Sequence, residues 1–374
     1  MSCKERSTPL TLIGNGECSG YFCGDSRGSG CSLTRITLLI FAVWLTLTSL
    51  GVASGSQLKP IRFGVQAAPQ QISWEELKEV WREVEELGFD TLWVNDHLLP
   101  SVGPTDAPNL DGWTMLGAMA ALTSRVRIGA LVTGNTFRHP AVLAEMATTI
   151  DHISGGRLIL GIGSAYFARE HQVYGVPFYT VGERAKRLEE AVQVILKLWT
   201  EPEASFNGKY YQLVKAPFSP KPLQKPHPPI MIGGTGEKLT LPIVAKYADI
   251  WNAGGLTPQQ LAQKIDILEE NCRQIGRDCG EIEKSYLTPL YLRTDPAEVQ
   301  ALLDQIPIMQ GVGAEQARAS ILAGDIAAVQ RQVQAYIDAG VTHFIIVLRR
   351  PGFYDREGLR LFAQEVMPRF RTNP

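Results

Sequence analysis

An aspartate and a histidine follow an apolar run near residue 95. The stretch TLWVNDHLLP, residues 91–100, begins like a buried strand and then meets Asp96 and His97. An imidazole can donate, accept or carry a proton near neutral pH, so this pair could do acid–base chemistry. A solvated loop would also tolerate both residues. The position of this strand end in the fold decides between the two interpretations.

Two glycine-rich stretches also follow apolar runs. In IGGTGEK, residues 232–238, three glycines lead toward a helix, and such a turn presents backbone N–H groups that suit phosphate. In GIGSA, residues 161–165, Gly161 and Gly163 would let a flat ligand lie against the backbone. Each stretch also has a simpler explanation, because a tight turn or a crowded strand end can itself require glycine.

The elements that must position these residues alternate between strand and helix. Each of eight apolar runs is followed by a helical pattern, and the first helix, residues 73–88, opens with the capping box of Ser73 and Glu76. Nearly continuous apolar runs are typical of parallel strands that are buried on both faces. The eight runs span residues 61–66, 89–95, 125–133, 157–163, 229–234, 249–254, 283–292 and 342–348.

Eight βα units predict an α/β protein with a single (β/α)8 barrel, the TIM barrel, over residues 59–374, with insertions in its βα loops. An open doubly wound sheet is the alternative, but VQAAP, residues 65–69, lacks the glycine-rich turn expected after its first strand. Active sites of such barrels lie at the carboxyl ends of the strands. This rule favours the acid–base interpretation of Asp96 and His97. His139 is expected to cap the third helix or lie beside the site, and Arg157 to be structural.

Residues 1–58 are expected to lie outside the barrel. The run from 36 to 52 is apolar and uncharged, with a length between a signal-peptide core and a membrane span. It is either a signal or anchor, which would export the protein or attach it to a membrane, or the product of a start codon assigned too far upstream. The second hypothesis places the protein in the cytoplasm, which we prefer. Membrane contact is expected only through this run.

Composition narrows the function classes. The net charge is −2 and no long basic run occurs, so we expect no nucleic-acid partner. Of six cysteines, Cys272 and Cys279 lie far from the others, and no CxxC pair or Cys/His cluster has metal-ligand spacing. We therefore expect buried or free thiols and no metal.

Three long motifs contain these strand ends: FDTLWVNDHLLP at 89–100, RLILGIGSAYFAREHQVYG at 157–175 and PIMIGGTGEKLTLPIVAKYADIWN at 229–252. They resemble the bacterial luciferase-like oxidoreductases, and more narrowly the branch that uses the deazaflavin coenzyme F420. The resemblance extends from Ile61 to about Met367. It implies a TIM barrel that holds the deazaflavin at its mouth, with Asp96 and His97 as catalytic residues near the reactive carbon of the ring. It also implies a homodimer.

The resemblance further implies a set of cofactor-binding residues. A non-proline cis peptide near Leu131-Val132 would support the ring, and the turn after the fifth strand would bind phosphate. One departure concerns members that oxidise sugar phosphates, which carry a glutamate in the loop where this chain has Tyr166 and, later, Glu170. The implied cofactor contacts are Leu131, Val132, Thr133, Gly161, Gly163, Ser164, Tyr166, Gly233, Gly234, Thr235 and Gly236.

Three hypotheses for the function follow. The first is F420-dependent hydride transfer to or from a small organic substrate. The second is a monooxygenase that uses reduced FMN and oxygen, and the third is a ligand-binding barrel without catalysis, since a barrel alone does not imply an enzyme. The substrate is expected to depend on loops after the first, second and seventh strands, including residues 102–112 and 306–324.

Overall fold

A computed structural model of the chain describes residues 60–101, 103–304, 318–347, 349–350 and 353–371. Eight parallel strands close into a barrel, because the first pairs with both the second and the last. The (β/α)8 prediction is therefore confirmed. The barrel strands are β1 (Arg62–Gln66), β2 (Thr91–Val94), β3 (Arg127–Ala130) continued by β4 (Thr133–Gly134), β5 (Leu158–Gly163), β8 (Ile230–Gly233), β9 (Ile250–Gly254), β10 (Glu283–Leu292) and β12 (His343–Val347).

Helices lie between the strands along the chain. The first shows the predicted capping box, because Ser73 and Glu76 exchange side-chain and backbone hydrogen bonds. A π-helical turn, Phe362–Val366, joins the last two helices. The helices are α1 (Trp74–Glu86), α2 (Gly112–Leu122), α3 (Pro140–Ile153), α4 (Ala168–Tyr174), α5 (Val181–Thr200), α6 (Thr240–Tyr247), α7 (Pro258–Gln274), α8 (Pro296–Leu303), α9 (Ile326–Asp338), α10 (Arg356–Leu361) and α11 (Met367–Phe370).

Apolar side chains fill both sides of the barrel wall. The larger cluster joins the outer faces of the strands to the buried faces of the helices, with Trp81 and Trp199 among its largest members. A smaller cluster fills the interior of the barrel, which is therefore a packed core. In barrels of this kind, ligands bind at the mouth formed by the carboxyl ends of the strands. The buried members of the smaller cluster are Trp93, Leu131, Ile159, Met231, Ile250 and Ile345.

Charged groups close the opposite, amino-terminal end of the barrel. The buried ring of His343 places Nδ1 2.7 Å from Glu283 Oε1, and Arg62 Nη1 donates to Glu283 Oε2 at 3.0 Å. Burial works to raise the pKa of Glu283, but His343, Arg62 and Arg127 together hold that pKa below its usual value. The carboxylate is thus stabilised in its ionised form in the folded protein.

The structure departs from the predicted elements in several places. The run 125–133 is two strands, because the ladder breaks at Leu131-Val132. The hairpin of β6 (Glu203–Asn207) and β7 (Gln212–Pro217), the short helix α4, and β11 (Leu322–Gly324) were not predicted. Hairpin strands that are mostly exposed carry little apolar periodicity.

The amino-terminal predictions fall on residues without a described structure. The apolar run 36–52 and the rest of residues 1–58 lie outside the described residues, as do residues 306–317 of the predicted substrate loop 306–324. Across the ranges that are described, no helix has the length and apolar character needed to cross a membrane.

Candidate active site

A cavity of about 330 Å³ opens at the carboxyl ends of the barrel strands. This size lies at the lower end of the range for small-molecule sites, which is about 300–1,000 Å³. Ten of the predicted site residues line it: Asp96, His97, Leu131, Val132, Thr133, Gly163, Ser164, Tyr166, Gly233 and Gly234. Thr235 and Gly236 instead line a neighbouring cavity of about 420 Å³, which also touches Ser164. Gly161 lies deeper in β5 and lines neither of these two cavities.

His97 is held by a buried carboxylate from a distant part of the chain. Its Nδ1 lies 3.1 and 3.2 Å from the two carboxylate oxygens of Glu170, which belongs to α4. The side chain of Glu170 is 1% exposed and that of His97 is 14% exposed. The ring edges of Tyr166 and Phe167 pack near the imidazole, with centroids 5.6 and 6.1 Å away. His97 is therefore fixed on one side and lines the cavity on the other.

Asp96 has a different environment from its neighbour. Arg138 Nη1 and Nη2 donate to its two carboxylate oxygens at 2.6 and 3.1 Å, and Thr133 Oγ1 donates to Oδ2. Trp113 Nε1 in turn donates to Thr133 Oγ1 at 3.1 Å. Because both oxygens of Asp96 are engaged by protein groups, the structure favours a supporting role for a residue that the sequence placed among the catalytic ones.

The predicted cis peptide is present between Leu131 and Val132. Gln66 Nε2 donates to the Leu131 carbonyl oxygen at 3.0 Å, which fixes this segment against β1. A Cβ atom at Gly163 would lie 2.8 Å from Val132 Cγ2, and one at Gly233 would lie 3.1 Å from Val132 Cγ1. The glycines therefore make room for the Val132 side chain, and Val132, Gly163 and Gly233 all line the cavity.

The glycine turn after β8 has features of both a phosphate-binding turn and a tight turn that itself requires glycine. Gly234 has φ of +130°, which favours glycine for its dihedral angle. The Gly236 carbonyl accepts hydrogen bonds from the N–H groups of Thr240 and Leu241, so part of the α6 amino terminus is satisfied within the turn. Lys238 and Lys264 line the adjoining cavity and supply positive charge beside the turn. Lys264 also pairs with Glu237 at 2.5 Å.

A family model described as luciferase-like monooxygenase matches residues 56–346. The chain belongs to the luciferase-like monooxygenase family. It is 31% identical over 347 residues to an F420-dependent glucose-6-phosphate dehydrogenase of Amycolatopsis mediterranei strain U-32, covering 83% of this chain and 99% of the relative. A protein of the same description from Microbacterium testaceum strain StLB037 is 30% identical, covering 83% and 98%.

Solved structures share the fold of this chain. An F420-dependent secondary alcohol dehydrogenase in complex with an F420-acetone adduct matches with a TM-score of 0.73 at 24% identity, covering 84% of this luciferase-like chain and all of the other. The coenzyme F420 dependent tetrahydromethanopterin reductase of Methanopyrus kandleri matches with a TM-score of 0.72 at 22% identity, covering 83% and 100%. At these identities the likeness establishes the fold.

Four residues of this luciferase-like site were not among the sequence predictions. Glu170 holds His97, and Arg138 holds Asp96. Gln66 holds the segment at Leu131. The buried amide of Asn95 lines the cavity, and its Oδ1 has no hydrogen-bond partner among the described residues. The sequence shows Glu170 only as a glutamate that lies later in the loop than the family glutamate. The short helix that carries it has no clear sequence signal.

Two other expectations are confirmed. His139 caps α3, because its Nδ1 accepts from the Ala141 N–H at 3.2 Å. Arg157 is structural, because its guanidinium donates to four backbone carbonyls and to the hydroxyl of Thr123. Neither residue lines the cavity.

Proposed function

We infer that the protein is an F420-dependent oxidoreductase that transfers a hydride between the deazaflavin and a small alcohol or carbonyl compound. The observation that carries this proposal is His97, held by Glu170 on the wall of a cavity at the barrel mouth. Its relatives are described as F420-dependent dehydrogenases, and one structure of the same fold holds an F420-acetone adduct. Alcohols and ketones are therefore the substrate classes that we propose first.

The residues present fit a deazaflavin. Asn95 offers a buried amide in the cavity whose oxygen has no partner among the described residues, and such a group is costly to bury unless a ligand satisfies it. Val132 and the peptide before it would support one face of the ring. The turn at 233–236, with Lys238 and Lys264 beside it, would hold the phosphate of the cofactor.

When bound, the deazaflavin supplies a two-electron hydride donor or acceptor. The protein groups supply position and proton transfer. His97 would take the hydroxyl proton of an alcohol during oxidation, or return it to the oxygen of a carbonyl during reduction. Asp96 would keep the segment that carries His97 in place through Arg138 and Thr133.

The first experiment is a binding titration of the purified protein with oxidised F420 and, separately, with FMN, followed by ligand fluorescence. Tight binding of F420 with weak binding of FMN supports the proposal. The reverse preference would favour the monooxygenase hypothesis, which oxygen consumption with reduced FMN then tests. Binding of neither would favour a ligand-binding barrel.

Turnover would then be followed as the change in F420 absorbance with a panel of secondary alcohols, ketones and glucose 6-phosphate. We expect His97→Asn to lower kcat by about 10²–10⁴-fold, because the proton acceptor is lost while the fold and cofactor site remain. The matched control is His152→Asn, since His152 lies on α3 with its Nε2 3.0 Å from the Lys221 carbonyl, outside the cavity. Unchanged turnover in His97→Asn would remove His97 from the mechanism.

Assembly and location are also proposals. We propose a homodimer, which analytical ultracentrifugation tests as a species of twice the 41.1 kDa chain mass. We propose a cytoplasmic location, with export or membrane attachment through the run 36–52 as the alternative. Fractionation of the source cells, with the amino terminus of the protein determined by mass spectrometry, distinguishes the two.

A further inference from the structure

We propose that Glu170 is a positioning residue that fixes the tautomer of His97, so that Nδ1 carries the proton and Nε2 is left to accept one in the cavity. This proposal rests on the proposed function for its consequence in catalysis. Its structural part concerns only two side chains and can be tested without cofactor or substrate.

The carboxylate of Glu170 is built into the loop that follows β2. Glu170 Oε2 accepts the backbone N–H of Leu98 at 2.8 Å, and both oxygens lie within 3.2 Å of His97 Nδ1. Asn109 Nδ2 donates to the His97 carbonyl oxygen at 2.7 Å, which fixes the backbone of the same residue. The carboxylate is buried and thus has little water to satisfy it. The N–H groups of this loop supply the hydrogen-bond donors for its two oxygens.

This arrangement determines which ring nitrogen is protonated. An ionised carboxylate only accepts hydrogen bonds, so the nitrogen that faces it must be the donor. In a neutral imidazole the other nitrogen, Nε2, then has the free lone pair. The hydrogen bond made by one nitrogen thus fixes the proton-accepting ability of the other.

The tautomer decides whether His97 can accept the proton of an alcohol in the proposed oxidation. The bound cofactor would supply the acceptor for the hydride, one proton with two electrons, that the alcohol carbon would lose. The hydroxyl oxygen of the alcohol loses its proton to Nε2 of His97, and the carbonyl bond forms from the electrons of that O–H bond. The opposite tautomer has no lone pair at Nε2 and cannot accept this proton.

Glu170→Gln separates this role from simple packing. The Leu98 N–H still needs an acceptor, so the new amide places its oxygen near the former Oε2 position. Its NH₂ group then takes the former Oε1 position, 3.1 Å from Nδ1 of His97, and donates to that nitrogen, because the amide oxygen is occupied by the N–H groups of Leu98 and Leu99. We therefore expect the proton of the ring to move to Nε2 while the size of the side chain is kept.

The test is ¹⁵N NMR of the histidine ring nitrogens in the full-length protein without ligands. It is made at alkaline pH, where an ordinary imidazole is neutral. The His97 signals are assigned by their absence in His97→Asn. We expect an Nδ1–H tautomer in the natural protein and an Nε2–H tautomer in Glu170→Gln. The matched control is Glu189→Gln, because Glu189 lies on the surface of α5 and pairs with Lys246 at 2.7 Å. This variant should leave both ring-nitrogen signals of His97 unchanged.

An Nε2–H tautomer in the natural protein overturns the proposal, and this result does not depend on whether Glu170→Gln folds. An unchanged tautomer in folded Glu170→Gln overturns it as well. Once F420 turnover is established, Glu170→Gln should lower kcat by about 10²–10⁴-fold with F420 binding retained. A flipped tautomer with full kcat would reject the role in the reaction. Failure of F420 to bind would reject only the proposed function, because the tautomer is measured without it.

Discussion

Asp96 should act mainly through Arg138, and a double-mutant cycle tests this. The side chains are 2% and 17% exposed and form two hydrogen bonds of 2.6 and 3.1 Å. Asp96→Ala leaves the guanidinium with only the more distant carboxylate of Asp111, 3.6 Å away, and takes an acceptor from Thr133. Arg138→Ala leaves the buried carboxylate of Asp96 without its two guanidinium hydrogen bonds. Either change should lower the free energy of unfolding markedly.

The expected magnitude follows from burial. Removing one partner of a buried ion pair costs about 3–5 kcal/mol, because the other charge stays desolvated. The partial exposure of Arg138 places Asp96→Ala near the lower end of that range. The double variant Asp96→Ala/Arg138→Ala leaves neither charge behind, so it should be less destabilised than the sum of the single variants. We expect a coupling energy of about 2–3 kcal/mol.

Urea unfolding, followed by both tryptophan fluorescence and circular dichroism, measures these free energies. Coincident transitions and equal slopes are needed for the comparison. The control cycle uses the exposed pair of Glu189 and Lys246, which should couple by less than about 1 kcal/mol. Additivity of Asp96→Ala and Arg138→Ala within about 0.5 kcal/mol would refute the assignment of Asp96 to this ion pair.

Two further predictions concern groups away from the cavity. The pKa of Glu283 is lowered in the folded state, so its ionised form stabilises the fold above the unfolded pKa and this contribution is lost as pH falls. The stability advantage over Glu283→Gln, taken from urea midpoints, should therefore shrink between about pH 5 and pH 3, and a constant difference would contradict this. Burial, with a contact to Cys272, raises the pKa of Cys279 to about 12. At pH 8 its thiolate fraction should be about a thousandfold below that of a free thiol. Mass spectrometry of peptides labelled with a thiol reagent should show correspondingly slow modification of Cys279, and a rate close to that of the unfolded chain would reject this.

The barrel could be predicted because its signal is local. Buried parallel strands are continuous apolar runs, and the helices between them have caps and apolar stripes. The helix α4 escaped prediction because it has only seven residues and its N-cap residue, Phe167, makes no side-chain hydrogen bond to it. The β6–β7 hairpin escaped because its strands form a small, mostly exposed sheet of their own.

The partners within the site could not be predicted for a different reason. Glu170 is 73 residues from His97 and Arg138 is 42 residues from Asp96, so neither pairing has a local pattern in the sequence. Residue type, together with position at a predicted strand end, indicated where acid–base chemistry could occur. The barrel supplied the partners by bringing the ends of β2, β4 and β5 together. The resemblance located the cis peptide, whereas the packing of glycines around Val132 required coordinates.

Asp96 and His97 are neighbours in the chain but have separable roles. Asp96 contacts Arg138 and Thr133, whereas His97 contacts Glu170, and both residues line the cavity. A variant of Asp96 should therefore lose stability first and activity as a consequence, whereas His97→Asn should lose activity in a protein of nearly unchanged stability. Asp96 and His97 would thus place a structural ion pair beside the proposed proton acceptor, and this would explain why two charged or titratable residues follow a buried strand so closely.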